Sequence, residues 1–492
     1  TGIRAFAVDS GGRPVGSAYR EFTQYFPSPG LVEHDATEIW STTVTVLDEL
    51  TRTLDRPVAA IGVTNQRETT VAWNRVTGEP VARAIVWQDR RTASRCEELR
   101  GAGLLDKVRS VTGLVLDPYF SATKFEWLLA NGVEVSSDLA FGTIDTWLIW
   151  KLSGGKAHVT DPSNASRTML FDIAELTWSE ELCDLFGIPR SALPEVVPSA
   201  GVVAATSEGC GVPAGVPISG IVGDQQASLF GQACVRPGMA KNTYGTGSFV
   251  LMNTGTSLPA VSEGLLRTVA WTVPGHMLDG DSHQSGNVTH YALEGSIFIT
   301  GAAVQWLRDG LGLIDQASEI GQLASSVDDT DGAVFVPAFT GLGSPYWDPS
   351  ARGAMFGITR GTTKAHLARA VVESMAFQTR DVMTAMAEVN GAPVTELRVD
   401  GGAAAMDLLL QVQADQLKCR VLRSSVAETT ALGAAYMAGL GAGVWESASQ
   451  IDANWASDAT FDPQPDTAVA DASYSMWQRA VERTLQWDLE SD

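Results

Sequence analysis

Apolar residues along the chain follow two rhythms. Short apolar runs closed by Gly, Asp, Asn or Pro alternate with longer stretches in which apolar positions return every three or four residues. The first rhythm is expected of buried strands, the second of helices packed along one face. Residues 4 to 8 lead through Asp9, Ser10, Gly11, Gly12 and Arg13 into Pro14 and Val15, which predicts a β-hairpin. A second unit begins in a similar way: a strand over 248 to 253 follows the turn Tyr244 to Gly247 and stops at Thr254 and Gly255. Further strands are predicted over 58 to 64, ending in Asn65 and Gln66, and over 396 to 400, ending in Gly401 and Gly402. Helices are predicted over 36 to 54, 123 to 131, 301 to 311, 363 to 388, 406 to 417 and 472 to 489.

Strands and helices therefore alternate twice over, which predicts an α/β fold of two domains. The break falls near Val235, Arg236, Pro237 and Gly238, giving 1 to 234 and 235 to 492. A chain of 492 residues, 45% hydrophobic, is long enough for two separate cores. A cleft between domains is then the first place to look for a ligand.

Charge narrows the partners. With 34 basic against 57 acidic residues the formal charge is −23, which opposes nucleic acid or an anionic membrane as a partner and favours a small molecule. Cys96, Cys183, Cys210, Cys234 and Cys419 are isolated and odd in number, so neither a disulfide framework nor a cysteine zinc site is expected. That usage, the absence of an apolar run of membrane-spanning length and the lack of a signal-like pattern in the first residues point to the cytoplasm.

Candidate chemistry gathers in three places. Asp224 in Gly223, Asp224, Gln225, Gln226 is a carboxylate at a turn, suited to accept a proton; its competing reading is a helix cap. The turn Tyr244, Gly245, Thr246, Gly247, Ser248 allows close approach of a phosphate chain. Arg67 and Glu68, at the end of a predicted strand, offer fixed donors and an acceptor for neighbouring hydroxyls, or else form a surface ion pair. Trp87 and Tyr119 read by themselves as core aromatics.

Taken together, residues 61 to 70, 86 to 91 (with Asp89 interrupting), 117 to 124, 145 to 150, 161 to 170, 220 to 231, 242 to 247, 338 to 348 and 398 to 402 resemble, in order, the FGGY family of carbohydrate kinases in the actin-like ATPase superfamily. Both family signatures are recognisable, one at 119 to 131 around Lys124 and Trp127, the other at 353 to 373. The resemblance implies two actin-like (ribonuclease H-like) domains with a central cleft. It also implies ATP-dependent phosphorylation of glycerol to sn-glycerol 3-phosphate with Mg2+, by a cytoplasmic homo-oligomer whose partners are glycerol and ATP.

On the resemblance, Arg67, Glu68, Tyr119, Asp224 and Gln225 hold the hydroxyls, Trp87 and Phe249 pack on the carbon chain, and Asp224 is the general base. Thr1, Arg4, Thr246, Gly301, Gln305 and Gly402 match nucleotide-site positions, and no metal ligand is assigned.

The sequence also departs from the family. A strand ending in Asp, Gln, Gly, Thr, Thr precedes the family position matched by Arg4, and only Thr1, Gly2, Ile3 and Arg4 represent that loop here. The expectation is a truncated record of a longer protein, with exposed strand edges beside the missing strand and weakened metal binding. Met406 stands where the family has an adenine-contacting Asn, so that contact is not carried over. Residues 207 to 216 lack the Arg through which related enzymes bind fructose 1,6-bisphosphate, so that control is not expected. The longer segment 274 to 291, with His276, Asp279, Asp281, His283 and His290, reads as a solvated hairpin extension rather than a metal site. His34 and His366 read as structural.

Overall fold

The computed structural model describes residues 2–279 and 286–488. Thr1, Asp281 and His283 lie outside the described residues. The predicted hairpin forms from the strands Gly2–Val8 and Pro14–Glu21, paired antiparallel. Behind it the strand Ile61–Asn65 runs parallel to Pro217–Gly223, which pairs antiparallel with Ala200–Ala205. A separate four-stranded sheet holds Glu33–His34, Ala84–Ile85, Thr70–Asn74 and Leu139–Thr143.

Gly2–Val8 and Ile61–Asn65 each pair along one edge only. Both line the same cavity of about 860 Å3, together with residues of the helices Ala36–Thr51, Ile144–Leu152 and Thr429–Gly441. The cavity ends at Asn65 and Gln66, next to the pocket described below.

The second half is built on a seven-stranded sheet in the order Leu266–Pro274, Asn287–Ile297, Ser248–Gly255, Ala240–Tyr244, Glu396–Gly401, Arg420–Ser424, Ser457–Phe461. Its middle strands, Ala240–Tyr244, Glu396–Gly401 and Arg420–Ser424, are parallel, and both outer regions are antiparallel. Helix Lys364–Asn390 packs along this sheet, burying Val371, Val372, Met375 and Val382. It starts at a capping box in which Thr363 and His366 bond each other's backbone, and it stops at Gly391 with φ 72°. His366 is thus a cap, as its structural reading implied.

Helix Thr429–Gly441 ties the halves together. A Cβ at Gly433 would collide with the Ala227 carbonyl, and one at Gly62 with the Ala434 carbonyl. Glycine at both places lets this helix lie directly on strand Ile61–Asn65 and helix Asp224–Gly231.

Several predicted boundaries moved. The strand expected at 58 to 64 starts at Ile61, because residues 57 to 60 run along the cavity without a pairing partner. The last helix is Ala468–Glu482 rather than 472 to 489. Asp466 accepts the Ala468 N–H at its start, and Leu485, whose spacing extended the prediction, packs from the turn beyond.

Candidate active site

The strand Ile61–Asn65 ends in a tight turn that places Arg67 and Glu68 inside the protein. Glu68 has φ 62°, a left-handed backbone unusual outside glycine, and this conformation points consecutive charged side chains into one buried space. Both side chains are buried. The surface ion-pair reading of Arg67 and Glu68 is therefore set aside.

Around Arg67 a network of charges closes. Its Nη1 donates to Glu294 Oε2 at 2.7 Å and to Gln226 Oε1 at 3.1 Å, its Nη2 to Tyr119 Oη at 3.5 Å, and its Nε lies 3.0 Å from Asp224 Oδ1. Arg167, fully buried, donates from Nε to Glu68 Oε1 at 2.8 Å and from Nη2 to Glu294 Oε1 at 3.0 Å. Its guanidinium also lies 5.2 Å from the Phe120 ring centre and 5.7 Å from that of Tyr119.

Burial alone would raise the Glu294 carboxyl, but Arg167 and Arg67 outweigh it and hold it down at about 2. Glu68 and Asp224 are raised above ordinary carboxylate values by burial, with Arg67 opposing the shift in each case. The network thus favours the charged form of Glu294, while burial moves Asp224 the opposite way.

Tyr119 is fixed from below. Lys124, buried on helix Ala122–Ala130, donates its three ammonium protons to the carbonyls of Pro118, Tyr119 and Phe120 at 3.0, 2.6 and 2.9 Å. The Trp87 ring meets Tyr119 edge-on at 5.5 Å. Phe249 pairs with Thr243 across two antiparallel strands of the second half.

Asp224 is the first residue of helix Asp224–Gly231, whose N-cap is Gly223. Its Oδ1 accepts the Gln225 N–H at 2.7 Å while facing Arg67, so the N-cap reading does not describe it. The same helix reaches the large sheet: Ser228 Oγ lies 3.3 Å from Thr243 Oγ1 and 3.3 Å from Asp400 Oδ2. Thr243 and Asp400 are paired at the carboxyl ends of two parallel strands, where α/β sheets bind ligands.

The glycine turn follows at once. Gly245 and Thr246 give their carbonyls to the N–H groups of Thr300, Gly301 and Ala302, which caps helix Gly301–Asp309 and brings Thr246 against Gly301. Gln305 is exposed on that helix and Gly402 opens the turn after Glu396–Gly401. A Cβ at Gly402 would meet nothing within 4 Å, so the turn faces open space large enough to approach. Arg4 is engaged elsewhere in the same region, bonded to Glu428 Oε1 at 3.1 Å just before Thr429. Thr1 cannot be placed, since it lies outside the described residues.

Four neighbours were not singled out from the sequence: Arg167, Lys241, Glu294 and Asp400. Lys241, on strand Ala240–Tyr244, donates from Nζ to Gln225 Oε1 at 2.5 Å and to Thr243 Oγ1 at 3.0 Å. The signal was a lone charge inside an apolar strand run, as in Leu293, Glu294, Gly295 and Met239, Ala240, Lys241, Asn242. Such a charge is buried only when it is paired.

His34 and His290 lie outside this site. His34 bonds Gln24 and Gln66, and burial pulls it down to about 4. His290 stacks on Trp271 at 5.5 Å. Among the described residues no group of three or more His, Cys, Asp or Glu side chains could hold a metal ion.

A half-buried carboxylate facing a buried guanidinium, with an open glycine turn at the end of the neighbouring sheet, is the layout of a small-molecule kinase. Family models agree: residues 1–231 match the N-terminal domain and residues 240–442 the C-terminal domain of the FGGY family of carbohydrate kinases. The chain belongs to that family. It is 53% identical to a glycerol kinase of Carboxydothermus hydrogenoformans over all of this chain and 97% of that one. It is likewise 53% identical to a glycerol kinase of Dechloromonas aromatica over 99% of this chain and 96% of that one. A crystal structure of Plasmodium falciparum glycerol kinase with ADP is similar at a TM-score of 0.91 and 35% identity, covering 98% of this chain and 96% of that one.

Proposed function

We propose that this chain transfers the γ-phosphoryl group of ATP to a terminal hydroxyl of glycerol, giving sn-glycerol 3-phosphate. The observation that carries the reading is the cluster at Asp224, where Arg67 lies against Asp224, Glu68 and Tyr119, Lys241 bonds Gln225, and the Trp87 ring meets Tyr119. The names of its relatives support the same substrate. A neutral triol offers no charge to recognise, so selectivity has to come from donors and acceptors that a wrong substrate leaves unpaired.

In this reading the acceptor hydroxyl gives its proton to Asp224 as its oxygen bonds to the γ-phosphorus. The bond from that phosphorus to the bridging oxygen breaks, and ADP leaves with the electron pair. Thr246, Gly301, Gln305 and Gly402 hold the nucleotide, with Arg4 nearby, and Phe249 lines the acceptor side. Mg2+ arriving with ATP would supply charge neutralisation on the transferring group. The segments 1 to 234 and 235 to 492 act as two lobes whose closure keeps water from the transferring phosphate. Five buried free cysteines suit a reducing cytoplasm, and assembly as a homo-oligomer belongs to the same proposal.

A coupled assay with ATP and magnesium across glycerol, dihydroxyacetone, erythritol and xylulose tests the reading. Glycerol is expected to give the highest kcat/KM; a higher value for xylulose would assign the pocket to a ketose.

A further inference from the structure

Lys241 is fully buried on a strand of the second half, yet its ammonium reaches across to the helix that begins with Asp224. An ammonium can only donate, so its bond to Gln225 fixes which end of that amide is the oxygen. The Gln225 amide nitrogen makes no hydrogen bond to any described residue, so it is the end left to donate to a bound acceptor. The second bond of Lys241, to Thr243 Oγ1, ties this arrangement to the strand that leads into the glycine turn.

We infer that Lys241 is a positioning residue for the transfer step: it presents Gln225 as a donor toward the acceptor and sets a cation in the field of Asp224. The inference rests on the glycerol kinase reading and adds to it a cation supplied by the nucleotide-side sheet. Gln225 is thereby a donor that reads a lone pair of the acceptor, while Asp224 reads a proton. A single hydroxyl group carries both features, so the pair suits an alcohol.

The charged groups facing Lys241 come from every element around it: Asp400 on strand Glu396–Gly401, Asp224 on its helix, Glu294 on strand Asn287–Ile297, and Arg67 in the turn after Ile61–Asn65. Cys234 lies within its field as well. Burial draws the ammonium down to about 8, against the pull of Asp400, Asp224 and Glu294. For Asp224 the strongest influence is burial, which raises it, while Arg67 and Lys241 lower it and Glu294 raises it. Removing Lys241 therefore shifts the Asp224 carboxyl upward.

The test compares the wild-type enzyme with Lys241→Met and Lys241→Arg by two readouts. The first is the infrared titration of the Asp224 carboxyl without substrate, assigned by subtraction of Asp224→Asn. The expected midpoint moves up in Lys241→Met and stays near wild type in Lys241→Arg. The second is kcat/KM for glycerol against pH. Lys241→Met should lose about 10- to 100-fold near neutrality and show its acid limb at higher pH, with Lys241→Arg retaining the wild-type limb. An unmoved carboxyl midpoint in folded Lys241→Met overturns the inference. A wild-type enzyme inactive on glycerol defeats the substrate reading instead and leaves the carboxyl titration to decide the role of Lys241. If Lys241→Met fails to fold, a Lys241→Arg enzyme with its acid limb displaced upward overturns it equally.

Discussion

Arg67 and Glu294 stand 227 residues apart and on different halves of the chain, yet their side chains meet in a two-pronged ion pair with both partners buried. Glu294 also takes Arg167, and Arg67 turns its remaining edge to Asp224. The pair thus fixes the guanidinium that Asp224 faces, using the rigidity of strand Asn287–Ile297 to do so. A bidentate guanidinium–carboxylate contact holds direction as well as distance.

Removing one member of such a network leaves the others charged and buried. Glu294→Gln is expected to lower the unfolding free energy by about 3–5 kcal/mol, as for other broken buried pairs. Urea denaturation checks this; a loss under about 1 kcal/mol would mean Arg67 and Arg167 find water or other partners.

The same carboxyl sets an acid dependence. Its folded value, about 2, lies below the ordinary Glu value of about 4.3, so its contribution is present above pH 4.3 and fades as pH falls toward 2. Glu68 and Asp224 are raised, so their contributions run the other way and remain in both proteins being compared. The stability gap between wild type and Glu294→Gln is therefore expected to be constant from pH 7 to 5 and to narrow below about 4.3. Thermal unfolding at a series of pH values measures the gap; a gap that widens on acidification contradicts the assignment.

Arg67→Ala removes a donor that faces both Asp224 and Tyr119. The KM for glycerol is expected to rise by about 10-fold or more while the KM for ATP changes far less. Initial-rate kinetics with each substrate varied in turn distinguish the two, and an unchanged glycerol KM would place the acceptor elsewhere.

Gly301→Ala probes the other side. The added methyl would press on the Gly245 carbonyl, 2.6 Å away, and push the glycine turn out of place. The KM for ATP should rise by about tenfold with the glycerol KM little changed. Equal changes in both constants would mean the turn serves the fold rather than the nucleotide.

Much of this layout was legible in the residues. The opening hairpin, the alternation of strands and helices, the turn at Tyr244 to Gly247 and the burial of Arg67 and Glu68 beside Asp224 follow local rules of periodicity, turn chemistry and family pattern. What could not be read was pairing across long separations. Glu294 and Lys241 look alike in sequence, each a single charge in an apolar strand, and only the register of the seven-stranded sheet gives them Arg67 and Gln225 as partners. Helix ends were also misjudged where a capping side chain, such as Asp466, decided the start instead of the apolar spacing.

The account depends most directly on Asp224 taking a proton. Asp224→Asn keeps the shape and hydrogen-bonding reach of the side chain but cannot accept the acceptor's proton as a carboxylate does. Rapid-quench measurement of phosphoryl transfer, paired with calorimetric glycerol binding, should show transfer reduced by about 10²–10⁴-fold with glycerol still bound. Transfer within a fewfold of wild type in that variant would contradict the central claim.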